Sequence, residues 1–159
     1  MTMTAHEPRT AAQYAAAVVI EFFDRYRAHD VHGMGELCAI NADFSYPPFE
    51  VWGKQRVLRA DGKVGTVGKA IWAGLINSFP NLSNVVHTIN ANDQGDVVAQ
   101  VDIGGTQQLP WGFVRPAGNT YREPHLFIFT VNPDGLITSI TGYWNNAEIS
   151  QQLGHLEVD

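Results

Sequence analysis

The residues best suited to chemistry lie in one stretch, Tyr121-Arg122-Glu123-Pro124-His125-Leu126-Phe127-Ile128-Phe129. In an extended strand alternate side chains share a face, so Glu123, His125, Phe127 and Phe129 point the same way. The two phenylalanines mark that face as the apolar one. A histidine on it is a candidate general base or acid, because neutral imidazole exchanges protons near neutral pH. A core histidine hydrogen-bonded to a neighbour would show the same pattern. Asp102 shares an alternate face with Val98 and Gln100 on another strand. If that face is inward, its carboxylate would orient His125 or act as a base with a raised pKa. Glu123 is the other possible partner, and the sequence leaves the choice open. Tyr46 precedes Pro47-Pro48 and is expected at a cavity mouth, where its hydroxyl would donate to a developing enolate oxygen.

The candidate catalytic set is therefore His125, Asp102 and Tyr46. Tyr26, Trp52, Gln100, Trp111, Glu123, Phe127 and Trp144 are the candidate substrate contacts. Tyr26 also continues an apolar helix stripe, and the tryptophans serve equally as core packing, the preferred reading for Trp72. Gly142 shares a face with Trp144 and leaves space beside it. His6, His29, His32 and His155 fall in tails or turns and are expected in solvent. His87 and His125 lack a third ligand at helix or strand spacing, so no metal is expected. No cofactor is expected, since Gly104-Gly105 is too short for a phosphate loop.

The elements that must position these residues read as α+β. Thr10 is a plausible N-cap for a helix to about Ala28, with Ala11, Tyr14, Ala15, Val18, Val19, Phe22, Phe23 and Tyr26 at helical spacing. A short helix through Cys38 follows, then a strand over Ala42–Tyr46 stopped by the proline pair. Phe49–Gly65 reads as a loop and Thr66–Ser78 as a helix. Strands are expected at Leu82–Ala91, Asp96–Gly105, Tyr121–Asn132 and Leu136–Asn145, with turns at Asn92–Gly95 and Asn132–Gly135. Gln107–Asn119 is a loop, and a last helix covers Ala147–Leu153. Helices before a long meander imply a curved antiparallel sheet wrapped around the N-terminal helices, forming a cone-shaped pocket. Residues 1–9 are expected to be a mobile tail and 10–159 a single domain.

Composition narrows the function. A net charge of −6 with no basic cluster argues against nucleic acid as a partner. Only 16% of residues are charged, while there are four Trp, eight Phe and five Tyr, which points to apolar surface in a pocket or a subunit interface. A hydrophobic small molecule and a second copy of the chain are the expected partners. The outward residues Leu126, Ile128 and Ile137 would be covered by that second copy. Cys38 is the only cysteine, so no internal disulfide forms. No apolar run is long enough to span a membrane and no signal-peptide pattern is present, so a cytoplasmic location is expected.

Several segments carry a family resemblance: Phe22-Phe23-Asp24-Arg25-Tyr26-Arg27-Ala28-His29-Asp30, Asn41-Ala42-Asp43-Phe44-Ser45-Tyr46, Phe79-Pro80-Asn81-Leu82, His125-Leu126-Phe127-Ile128-Phe129, Asp134-Gly135-Leu136-Ile137 and Tyr143-Trp144-Asn145. The chain resembles the SnoaL-like polyketide cyclases of the nuclear-transport-factor-2-like superfamily. The resemblance implies a cystatin-like cone and a cyclase, isomerase or dehydratase, although the superfamily also includes non-enzymatic binders. His125 matches the cyclase histidine, while the cyclase aspartate falls near Gly142. The ketosteroid-isomerase base and oxyanion tyrosine fall on Tyr46 and Phe22, so that set is absent. The Arg-x-Asp of epoxide hydrolases reads Gln100-Val101-Asp102. Tyr26 and Tyr46 resemble the tyrosine pair of scytalone dehydratases, with His87 one residue out of register for their second histidine. The resemblance thus implies a cofactor-free enzyme acting on a carbonyl-bearing or cyclic small molecule. A non-catalytic binding or dimerisation module is the alternative.

Overall fold

The computed structural model describes residues 9–49, 61–112 and 114–155. Helix α1 (Ala11–Arg27) starts in a capping box, with Thr10 accepting from the Gln13 backbone and Gln13 returning a bond to Thr10. Its buried residues Ala15, Val19, Phe22, Phe23 and Tyr26 recur at helical spacing and form one face. His29 ends it at φ 60, and its ring Nε2–H donates to the Leu82 carbonyl at 2.7 Å. His29 is thus tied to the start of the sheet rather than free in solvent.

Helix α2 (Val31–Glu36) is capped by Asp30 and stops before Cys38. Strand β1 (Cys38–Ser45) begins at Cys38, earlier than the apolar pattern suggests, because Cys38 and Phe44 pair with Ile137 and Ile140 on another strand. A 3-10 turn, Pro47–Phe49, follows. The expected loop to Gly65 contains strand β2 (Asp61–Lys63). Helix α3 (Lys69–Ser78) is preceded by a π turn over Val64–Gly68, so it starts three residues later than expected. Strands β3 (Ser83–Ala91), β4 (Asp96–Thr106), β5 (Thr120–Val131) and β6 (Ile137–Tyr143) form the meander, and α4 (Asn146–Gln152) closes the described fold.

The six strands form one sheet in the order β2-β1-β6-β5-β4-β3. Neighbours are antiparallel except β1 and β6, which run parallel. The expected meander β3–β6 is antiparallel throughout, and β1 joins it in parallel. The sheet curves around α1 and α3, whose rings fill the concave side. Phe22 makes edge contacts with Phe23, Trp72 and Phe129. Each fully buried phenylalanine contributes roughly 2 kcal/mol of transfer free energy. Ile137, expected outward, is fully buried. A register shift between Thr130 and Val131 sets Val131 opposite Ile137 and turns both inward.

A buried polar tie docks α1 on the sheet. Asn84 Nδ2 donates to the Phe23 carbonyl at 3.0 Å, and Arg27 donates to the Asn84 side-chain oxygen at 2.8 Å and to its carbonyl at 3.2 Å. The Asn84→Ala variant should lose about 1 kcal/mol, the net contribution of a typical hydrogen bond, because α1 loses its side-chain tie to the sheet while the Phe23 carbonyl keeps its helical partner. Urea denaturation of the two proteins measures this, and unchanged stability would show that the tie contributes nothing.

Candidate active site

The central strand β5 sets the site. Tyr121, Glu123, His125, Phe127, Phe129 and Val131 are buried on the concave side, while Arg122, Pro124, Leu126 and Ile128 face out. Strand β6 stops at Tyr143, opposite Leu126. The Tyr121–His125 half of β5 therefore has β4 on one edge and α4 near the other. There the Gln152 side chain accepts from the Arg122 backbone N–H at 2.7 Å.

The His125 ring is 8% exposed. Its Nδ1–H donates to the Glu123 carbonyl at 2.8 Å, which leaves Nε2 as a lone-pair acceptor without a hydrogen-bond partner among the described residues. The ring stacks on Phe127 (5.8 Å, 12°) and on Trp144 (4.9 Å, 27°). Burial pulls its pKa down to about 4, against the smaller opposing pull of the Glu123 carbonyl and the Asp102 charge. The imidazole is therefore neutral at pH 7. Glu123 is also buried, and loss of water raises its carboxyl pKa, with Glu148 and Asp102 adding repulsion.

Tyr46 lies inside the cone, not at its mouth. It is 2% exposed and packs against Phe44, Phe127 and Trp144, because β1 delivers it to the concave side just before the proline turn. Trp72 Nε1–H donates to its hydroxyl oxygen at 2.9 Å, leaving the hydroxyl proton available. Tyr26 and Tyr121 line the same interior. Burial raises all three phenols, and they stand close enough for charge on one to disfavour charge on another. Tyr121 went unnoticed in the sequence, although it lies two residues before Glu123 on the same alternate face. Trp111 and Phe127 are interior walls too. Trp52 lies outside the described residues.

Asp102 and Gln100 face the convex side. Val101 sits directly opposite His125, and directly paired antiparallel residues share a face, so the neighbours of Val101 point away from the ring. The sequence signal was the run Val97, Ala99, Val101 and Ile103, all buried. Asp102 instead accepts from His87 Nε2 at 3.0 Å and Arg122 Nε at 3.2 Å. These bonds, His87 first, hold its carboxyl below the usual range. His87 occupies the register shift between Val86 and Thr88 and is exposed on that convex side. Asp102 is therefore not the orienter of His125. No group of three or more His, Cys, Asp or Glu with metal-site geometry occurs among the described residues.

The interior is nearly full. Its residual space is about 10 Å3, room for roughly one water. The rings also crowd the backbone at Gly142. A Cβ on Gly142 would stand 2.9 Å from both a Phe127 and a Tyr46 ring carbon. A groove of about 1060 Å3 lies on the convex side, lined by His87, Gln100, Asp102, Leu126, Tyr143 and Trp144 among others, with His125 at its inner wall.

A curved sheet closed over N-terminal helices, with a histidine and tyrosines facing its interior, is the nuclear-transport-factor-2-like fold. The chain belongs to the SnoaL-like domain family, whose model matches residues 19–140. No curated protein matches it. Among solved structures, AclR, a proposed hydroxylase from Streptomyces galilaeus, superposes with TM-score 0.74 at 16% identity, covering 90% of this chain and 97% of its own. A proposed SnoaL-like polyketide cyclase from Jannaschia sp. CCS1 gives 0.72 at 19%, covering 96% and 100%. IdmH, a proposed polyketide cyclase from Streptomyces antibioticus, gives 0.73 at 18%, covering 88% and 98%. No helix among the described residues is long and apolar enough to cross a membrane.

His125 makes stability depend on pH with a definite sign. Its pKa is about 4 in the fold and near 6.5 when unfolded. Between those values the unfolded chain binds more protons, so stability rises with pH. The contribution is complete above about pH 6.5 and is lost as pH falls toward 4, on the order of 3 kcal/mol in all. His125→Phe should flatten this part of the curve in urea titrations from pH 4 to 7. An unchanged slope would mean that the ring is not held neutral by the fold.

Proposed function

We propose that this chain is an acid–base enzyme of the cyclase, isomerase or dehydratase type, acting on an apolar small molecule that bears a carbonyl. The observation that carries the reading is the fixed tautomer of His125, with Nδ1–H held by the Glu123 carbonyl and Nε2 left as an acceptor on a residue that lines the same interior as Tyr26, Tyr46 and Tyr121. In this scheme Nε2 takes a proton from the carbon next to the substrate carbonyl. The Tyr46 hydroxyl donates to the enolate oxygen that forms, and the bond it accepts from Trp72 strengthens its own donation. A base with a pKa of about 4 is weak. Bases of similar strength nevertheless remove carbon-bound protons when donors hold the oxyanion. Glu123 lines neither the interior nor the groove, and its part in the scheme is the backbone carbonyl that holds Nδ1–H of His125.

A non-catalytic binding module is favoured by one specific observation: His125 is packed against Phe127 and Trp144, and no carboxylate among the described residues hydrogen-bonds to it. Deuterium exchange into 2-tetralone, followed by NMR, separates the two. Catalysis predicts exchange that falls by roughly 100-fold in His125→Phe and Tyr46→Phe, the typical share of one acid–base group or one oxyanion donor. Saturable binding of 2-tetralone without exchange supports the binder instead.

We also propose that the convex face pairs with a second copy. Val98 opposes Ile128, and Leu126 opposes Tyr143, so four apolar side chains between 36% and 44% exposed form one strip. Covering such surface is favourable by about 25 cal/mol per Å2. Sedimentation velocity should therefore show a dimer at micromolar concentration, and Ile128→Lys should dissociate it. A wild-type monomer at that concentration would reject the pairing.

A further inference from the structure

Two spaces flank the His125 ring, and neither suffices for a substrate alone. The interior has the hydroxyl groups but room for about one water, whereas the groove has about 1060 Å3 but lies on the far side of the sheet from those hydroxyls. His125 and Trp144 are the two residues that line both. His125 is a member of β5, held by strand pairing and by its own bond to the Glu123 carbonyl. Trp144 is not. It follows the last residue of β6 and precedes α4, in a segment with neither strand nor helix pairing. Its indole stacks on His125, meets the rings of Tyr46 and Phe49 edge-on, and has one hydrogen bond, from Nε1 to Asn146 Oδ1 at 2.6 Å. Asn146 in turn donates to the Pro48 carbonyl, which anchors the latch to the turn after β1.

We infer that the groove and the interior are two compartments of one ligand site, and that Trp144 is the movable partition between them. The inference rests on the ligand-binding reading above. An indole that swings out of the interior about its own side-chain bonds vacates space bounded by Tyr46, Phe127 and His125, and leaves the sheet intact. The ligand is then an amphipathic molecule with a defined orientation. Its ring or chain lies at the Pro48 and Ala147 end of the groove, clear of the strip proposed to pair with a second copy, and its oxygen-bearing end enters beside Tyr46 and His125. The Asn146 latch sets how often the partition opens.

The test uses 2-naphthol as the probe on the full chain. Stopped-flow fluorescence gives its association rate, and NMR of isotope-labelled histidine reports whether it reaches the His125 ring. In wild type the probe should shift the His125 resonances and associate slowly. Trp144→Ala should raise the association rate by about 10-fold or more, as removal of a gating step does. Asn146→Ala, which keeps the indole but removes its latch, should raise it in the same direction and guards against misfolding of the first variant. A probe that shifts His125 at the same rate in all three proteins overturns the partition while leaving the ligand reading intact. The absence of any His125 response in all three overturns both.

Discussion

The alternation of β5 is the constraint on which the rest of the structure depends. This strand is central, paired along its length with β4 and over its second half with β6. Its concave side carries Tyr121, Glu123, His125, Phe127, Phe129 and Val131, and a slip of one residue would turn all of them out. Such a slip would expose Phe127 and Phe129, which contact Phe22 and Phe23 of α1. The packing of α1 therefore fixes the register, and the register points the histidine inward. The site is a by-product of how the core is built.

The aromatic interior also determines the electrostatics. Surrounded by rings, His125 loses its charge and the tyrosines keep their protons. A neutral acceptor next to neutral donors suits the stabilisation of a transient oxyanion, because no charge is present until the reaction creates one. At Gly142 two rings occupy the space that a side chain would take. The convex face follows different rules: Asp102, His87 and Arg122 pair among themselves in partial solvent contact, and Asp102 acts on the His125 ring through its charge and not through a hydrogen bond.

By itself the sequence determined the order of the elements other than β2, the apolar face of β5 and the resemblance to SnoaL-like proteins. Each rests on local patterning, the two-residue period of strands and the capping signals of α1, which need no distant partner. It also contained the buried face of β4 in Val97, Ala99, Val101 and Ile103, but chemical interest in Asp102 drew the reading to the opposite face. Only the tertiary structure decided the rest. The pairing of Val101 with His125 put Asp102 outside, and the parallel pairing of β1 with β6 extended β1 back to Cys38 and carried Tyr46 into the interior. The register shift before Val131 turned Ile137 inward. These are long-range facts, set by which strands meet and in what register, and a local pattern does not encode them. The closed interior is of the same kind, because a cone is as empty as the rings from α1, β1, β5 and the segment after β6 leave it.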